Sequence, residues 1–188
     1  MKLENIIKKS LKEEPPANLS WVYQEFYSPY YNLMRLLAAT IKDGTLVELG
    51  VHKGRGLASL AAGNPDNIII GLDTVFDPDL HFVLDEFPDI EFLQRASLPA
   101  TSDIFKDPHG GTYPIHLLHI DTEHSYAMAK AEFEAYKPYL VNGAYVLFDD
   151  LHAMDDDVLK YFNELPYYKI QDDRLHPICG YGVLVYEE

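Results

Sequence analysis

Cysteine and tryptophan are almost missing from this 188-residue chain, which has one of each, Cys179 and Trp21. A lone cysteine excludes an internal disulfide and points to a reducing, cytoplasmic setting. Cations are scarce as well: 15 Lys and Arg stand against 30 Asp and Glu, a formal net charge of −15. Such a surface repels phosphate backbones and anionic headgroups, so nucleic acids and membranes are poor partners. Long apolar runs are also lacking. None approaches the roughly 20 residues that a membrane helix needs. Lysines and glutamates interrupt Leu3, Ile6, Ile7 and Leu11, which argues against a signal peptide. What remains is 47% hydrophobic and 24% charged, the balance of a soluble globular protein. The length suits one domain over residues 1–188, divided into a leader, 1–44, and a body, 45–188.

The leader reads as helical. Asn5, Ile6, Ile7 and Leu11 have the spacing of a short amphipathic helix stopped by Pro15-Pro16. Leu19–Tyr27 and Tyr30–Lys42 predict two more helices, separated at Pro29 and ended by Asp43-Gly44. The aromatic cluster Trp21, Tyr23, Phe26, Tyr27, Tyr30 and Tyr31 reads as rings that pack the leader onto the body. A lid over a substrate is a second reading of it, and a contact between copies in a homo-oligomer is a third.

From Thr45 onward strands and helices alternate. The expected strands are Leu46–Leu49, Ile68–Leu72, Ile90–Leu93, Ile115–Ile120, Ala144–Phe148, Tyr167–Ile170 and Gly182–Tyr186. The expected helices are Leu57–Ala62, Leu80–Phe87, Ser102–Phe105, Ser125–Tyr139 and Asp155–Leu165. This alternation predicts an α/β fold. Its core is a doubly wound, mostly parallel, seven-stranded sheet covered on both faces, ending in an antiparallel strand pair.

Two signals mark a site on that sheet. The runs Ile115–Ile120 and Ala144–Phe148 end abruptly in carboxylate, at Asp121 and at Asp149-Asp150. A strand–helix–strand unit brings both ends to one edge, where open α/β sheets bind ligands. So much negative charge calls for a cation or a cationic substrate. The second signal is Glu48-Leu49-Gly50-Val51-His52-Lys53-Gly54-Arg55-Gly56, which follows the first strand. Its glycines allow a tight turn and close approach of a ligand. Asp73 ends the next strand, where a carboxylate commonly binds ribose hydroxyls. Dinucleotide loops read G-x-G-x-x-G and meet pyrophosphate. Here His52 stands two residues after Gly50, and Glu48 would repel pyrophosphate. A carboxylate in that place suits the ammonium and sulfonium of S-adenosylmethionine.

On these residues the chain resembles a known family. The stretches VELGVHKGRG, IIIGLD and LLHIDTEHSYAMAKAEFEAYKPYLVNGAYVLFDD, within Thr45–Asp150, resemble the class I S-adenosylmethionine-dependent methyltransferases. The branch is that of metal-dependent O-methyltransferases, sugar O-methyltransferases and cephalosporin-hydroxylase-like proteins. The resemblance implies a Rossmann-like fold in which Glu48, Gly50 and Gly54 cradle the methionine end of the cofactor. It implies that Asp73 binds the ribose and that Ser97 lies near the adenine. It also implies a divalent metal, usually magnesium, on Asp121, Asp149 and Asp150, with His124 as a candidate base. His52, in place of a frequent glycine, and Ser97, where relatives often carry an acid, depart from the pattern.

The residue chemistry has its own reading. Three carboxylates at Asp121, Asp149 and Asp150 offer hard oxygen donors, which suit magnesium, manganese or calcium. A bound ion could hold two neighbouring acceptor oxygens and lower the pKa of a hydroxyl. The other account is that Asp149 and Asp150 cap a turn and satisfy backbone. His124 could take the hydroxyl proton, or it could cap the helix or order its loop through Ser125; Asp121 stands with His124 as a catalytic candidate. His119-Ile120-Asp121 has the form of an iron-binding H-x-D piece that His152 or His176 would complete. That motif belongs to antiparallel barrels, so His116 and His119 read instead as histidines packed on the sheet. Cys179 reads as structural; Lys53 and Arg55 could meet a carboxylate of cofactor or substrate, but solvated loop cations are the commoner case. The expected function is a metal-assisted O-methyltransferase acting on a small hydroxylated molecule. A fold-sharing protein that binds a ligand or partner without catalysis is one alternative, and an iron oxygenase another.

Overall fold

Seven strands pair into one sheet in a computed structural model that describes residues 2–23, 28–98, 104–105 and 113–188. The strands are β1 Thr45–Leu49, β2 Ile68–Asp73, β3 Glu91–Gln94, β4 Ile115–Ile120, β5 Leu140–Phe148, β6 Tyr168–Gln171 and β7 Gly182–Val185. Their spatial order is β3-β2-β1-β4-β5-β7-β6. Strands β1 to β5 run parallel, and β7 lies antiparallel between β5 and β6. Among the described residues the helices are α1 Leu3–Ser10, α2 Pro29–Ala38, α3 Arg55–Gly63, α4 Leu80–Glu86, α5 Tyr126–Tyr136 and α6 Asp157–Glu164. The chain winds one way from β1 to β3 and the other way from β4 to β5. The strand order therefore reverses between β1 and β4, and their carboxyl ends flank a crevice.

Alternation along each strand divides the interior in two. Leu46, Leu117, Leu147 and Val183 face α1, α2, α3 and α4 in one apolar cluster. Val47, Leu118, Val146 and Leu184 face α5 and α6 in the other. The leader thus packs on the sheet, with Tyr30 and Tyr31 buried at 3% and 6% exposure. No helix among the described residues is long and apolar enough to cross a membrane.

Several expected boundaries move. The helix expected over Leu19–Tyr27 does not form where the chain is described. Ala17–Leu19 is a 3₁₀ turn, and Val22 and Tyr23 continue in turns through N–H bonds to Leu19 O and Ser20 O. Tertiary packing decides this: Leu19, Val22 and Tyr23 are all buried, and the Tyr23 hydroxyl meets Ser59 Oγ on α3 at 2.5 Å. The remainder of that segment, Gln24–Tyr27, lies outside the described residues, as do residues 102 and 103 of the helix expected at Ser102–Phe105. Pro29 opens α2 instead of interrupting the leader, which suits a residue whose missing N–H costs nothing at a helix start. Strand β5 begins at Leu140, ahead of the apolar run. There the register with β4 jumps from Ile115–Leu140 to Leu117–Tyr145.

Candidate functional site

The crevice is tied together by backbone. Gly50 follows β1 at φ +84°, and a Cβ there would lie 1.8 Å from the carbonyl oxygen of Asp121. Only glycine permits both. Its N–H donates to Leu72 O at 2.8 Å, while Asp121 N–H donates to Leu49 O at 2.9 Å. Asp73 ends β2 and takes the N–H groups of Val51 and His52 on one oxygen, each at 2.9 Å. Its other oxygen accepts from Val75 N–H at 3.0 Å. Burial raises the pKa of Asp73, but these backbone donors outweigh it and the net shift is downward. Ser97 donates to Glu132 at 2.5 Å, and Thr122 donates to the second oxygen of Glu132 at 2.7 Å. Gly50, Asp73, Ser97, Asp121, Thr122 and Met128 line a cleft of about 430 Å³. That volume lies within the roughly 300–1,000 Å³ of ligand pockets. Gly54, at φ +80°, lies against α4: a Cβ there would sit 2.6 Å from a Leu80 methyl.

Asp121 also lines a second cavity, of about 330 Å³, together with Tyr30, Glu48, Asp149, Asp150 and His176. Glu48 of β1 and His119 of β4 are register partners on the leader-facing side of the sheet. His119 Nδ1 lies 3.0 Å from Glu48 Oε1, and both side chains are buried. Burial raises the pKa of Glu48 against the pull of His119. For His119 burial acts downward, but the contact with Glu48 prevails and its pKa rises. Glu48 Oε2, His119 Nε2 and the Tyr181 hydroxyl have no hydrogen-bond partner among the described residues.

The three strand-end carboxylates meet histidines. Strand β5 stops at Phe148, and Asp150 adopts φ +51°, so adjacent Asp149 and Asp150 both reach the cavity. His124 bridges Asp121 at 3.2 Å and Asp150 at 3.0 Å. Hydrogen bonds to Asp121 and then Asp150 push His124 up to about 10. Burial and the neighbouring Asp149 push Asp121 up to about 7. Burial raises Asp150, but His124 outweighs it and the net shift is downward. His176 Nδ1 lies 2.8 Å from Asp149 and 3.3 Å from Asp150. The carboxylates already draw two imidazoles as counter-ions, which is the charge a cation would supply. Their ligand atoms do not gather as one trio. Asp121 and Asp149 fall in one close set with His119, and Asp150 in another with His176 and Cys179.

The remaining expectations find places. His116 accepts Thr45 N–H on Nδ1 at 3.2 Å, as a histidine packed on the sheet would. Lys53 meets Asp79 at 2.9 Å, and Arg55 Nε donates to Val22 O at 3.1 Å. His152 lies with Asp156 and Asp173, at 2.6 and 3.2 Å.

Tyr30, Tyr31 and Glu132 were not singled out for the site from the sequence, and His176 was weighed there only as the residue that would complete an iron-binding set. Tyr30 and Tyr31 line the acid-rich cavity, and only their place in the aromatic cluster hinted at it. His176 comes from the β6–β7 connection, which carries no local signal beyond the histidine itself. Glu132 was detectable: Ala129, Glu132, Phe133 and Tyr136 form the buried stripe of α5. A carboxylate at a core position of an amphipathic helix needs partners.

A doubly wound sheet with this strand order, a nucleoside-sized cleft at the switch point and an acidic cavity beside it is the class I S-adenosylmethionine-dependent methyltransferase fold. A model of a methyltransferase-domain family matches residues 47–151, more than half of the chain, and the chain belongs to that family. Among solved structures it is similar to the O-methyltransferase TomG of Streptomyces achromogenes, involved in tomaymycin synthesis and solved with S-adenosylmethionine. The TM-score is 0.71 at 18% identity, covering 100% of both chains. It is also similar to an O-methyltransferase of Bacillus cereus in complex with S-adenosylhomocysteine, with TM-score 0.69, 15% identity and coverage of 98% and 90%. A third is CalS11, a TDP-rhamnose 3′-O-methyltransferase of calicheamicin biosynthesis, with TM-score 0.64, 18% identity and coverage of 99% and 93%. No curated protein matches the chain.

Proposed function

We propose that the protein transfers a methyl group from S-adenosylmethionine to a hydroxyl oxygen of a small molecule, assisted by a divalent cation, magnesium by preference. The observation that carries this reading is Asp121, a single carboxylate that walls both cavities. The cleft at Gly50, Asp73 and Ser97 has the size and the ribose-binding acid for the cofactor, which supplies an electrophilic methyl on a sulfonium. Asp73 remains ionised near neutral pH and holds the loop against which the cofactor lies. Glu48 and Asp121 put negative charge beside the cationic donor. Asp121 and Asp149, with Asp150 adjoining, would hold the cation, whose chemistry is to acidify a bound hydroxyl. The acceptor proton passes to the Asp121–His124 couple, in which Asp121 titrates near neutrality. Tyr30 and Tyr31 line the acceptor side and exclude water from it.

The similar O-methyltransferases with small-molecule roles, TomG and CalS11, support a small acceptor. The acidic balance supports a partner other than nucleic acid, and the single cysteine supports a cytoplasmic setting. In this reading residues 1–188 act as one domain, and the aromatic leader is the candidate homo-oligomer contact. Calorimetric titration with S-adenosylmethionine, with and without magnesium, tests the cofactor. Absence of binding in both conditions overturns the reading. Formation of S-adenosylhomocysteine with panels of sugars, phenols and glycosides tests the transfer. Asp149→Asn, which touches only the second cavity, should abolish turnover while cofactor binding persists, and a chelator should suppress turnover of the wild type.

A further inference from the structure

One corner of the acid-rich cavity carries a different donor chemistry. His176 and Cys179 belong to the turn His176-Pro177-Ile178-Cys179-Gly180, closed by Gly180 N–H donating to His176 O at 2.8 Å. His152 N–H donates to Cys179 O at 2.7 Å, which pins this turn to the segment after β5. Asp150 belongs to that segment and faces the turn. One ligand atom from each of Asp150, His176 and Cys179 lies within 4.8 Å of the other two. Two stretches of chain far apart in sequence therefore deliver a carboxylate oxygen, an imidazole nitrogen and a sulfur to one point. Asp150 Oδ1 is buried there, 3.3 Å from His176 Nδ1 in an ion-pair contact that lacks hydrogen-bond geometry. Ile178, between the two ligands, is 73% exposed, so solvent and ions reach the turn.

We propose that Asp150, His176 and Cys179 form a second metal site, one that takes a thiophilic divalent cation of the zinc class. Oxygen-only sets suit magnesium and calcium, whereas thiolate and imidazole select zinc, cobalt and their neighbours. A thiolate, a carboxylate and a neutral imidazole carry two negative charges, which one divalent ion neutralises, and loading releases the thiol proton to solvent. Three protein donors leave a fourth tetrahedral position open to water or to an acceptor oxygen. Asp150 also belongs to the carboxylate trio of the proposed reaction, so zinc at this site competes with magnesium there. The site itself stands whether or not the protein transfers methyl groups.

Cys179 is the only thiol of the chain, so every sulfur signal reports on it. Cobalt(II) added to the purified full-length protein should give a near-ultraviolet sulfur-to-cobalt charge-transfer band and the visible bands of a tetrahedral ion. Cys179→Ala should lose the charge-transfer band. Zinc should slow labelling of wild-type Cys179 by a thiol reagent, and magnesium at the same concentration should not. His176→Gln should weaken cobalt binding by more than the about 10–100-fold that an outer-shell partner contributes. A wild type without the band, or labelling that zinc and magnesium slow equally, overturns the proposal. Both readouts are taken without S-adenosylmethionine, so a protein that fails to bind the cofactor still tests this site, and the reverse also holds.

Discussion

The two cavities that Asp121 separates are held in different ways. On the Gly50 side, charged groups are satisfied by fixed donors: Asp73 by backbone N–H groups and Glu132 by the hydroxyls of Ser97 and Thr122. On the Asp149 side, carboxylates are satisfied by histidines, with Glu48 on His119, Asp121 and Asp150 on His124, and Asp149 on His176. Backbone donors do not titrate and cannot be displaced, so the first cavity is preorganised. Imidazoles do titrate, and their carboxylate partners raise them here, His124 to about 10, so the pairings of the second cavity depend on pH. The first cavity is thus the rigid half and the second the adjustable one.

The largest expected effect lies on the histidine side. Glu48→Ala removes the partner of a buried imidazole, and breaking a buried pair in this way costs about 3–5 kcal/mol. Urea unfolding measures it, and Glu48→Gln should recover part of the loss. A cost near that of a surface pair would erase the contrast between the halves. Next comes the backbone side. Asp73→Ala strips the loop of a charged acceptor, and hydrogen bonds to such a group contribute about 1.5–3 kcal/mol. The same variant should lose affinity for S-adenosylmethionine while cation binding at the other cavity is retained. Loss of both would mean that the halves are not separable.

The halves should also fail at opposite ends of the pH scale. The folded-state pKa of Asp73 is lowered, so its contribution is present above its unfolded value of 3.8 and lost as pH falls through the folded one. His124 is raised from 6.5 to about 10, so its contribution is complete below pH 6.5 and lost as pH rises toward 10. Asp121, raised from 3.8 to about 7, adds a decline with rising pH between those values. Thermal melts in chelator should therefore show stability falling on the alkaline side, and His124→Gln should flatten that fall. A melting temperature that stays level from pH 6.5 to 10 would contradict the His124 bridge. The smallest effect sharpens the boundary between the halves. Ser125 caps α5 by accepting Met128 N–H at 3.2 Å, and Ser125→Ala should cost about 1 kcal/mol without altering either cavity's ligands.

Much of the backbone-held half was legible in the sequence, because its parts are local. Gly50 lies just after a strand, Asp73 ends the next one, and Asp121, Asp149 and Asp150 sit at the ends of apolar runs. Each position follows from strand length and alternation. The histidine-held half was legible in its acids and in His124, which lies three residues after Asp121. His176 reaches Asp149 from 27 residues away and Glu48 meets His119 across 71, so neither pairing has a spacing to read. The leader shows the same limit. Val22 and Tyr23 lie in a stretch that reads as helix, but they are buried in turns, with Tyr23 bonded to Ser59 of α3. By itself the sequence determined the strand–helix alternation, the glycine loop and the acids that close the strands, since hydrophobic period and turn chemistry act over a few residues. Only the tertiary structure decided which histidine neutralises which carboxylate and that Asp121 would divide two cavities, because those depend on the order in which strands from distant parts of the chain lie side by side.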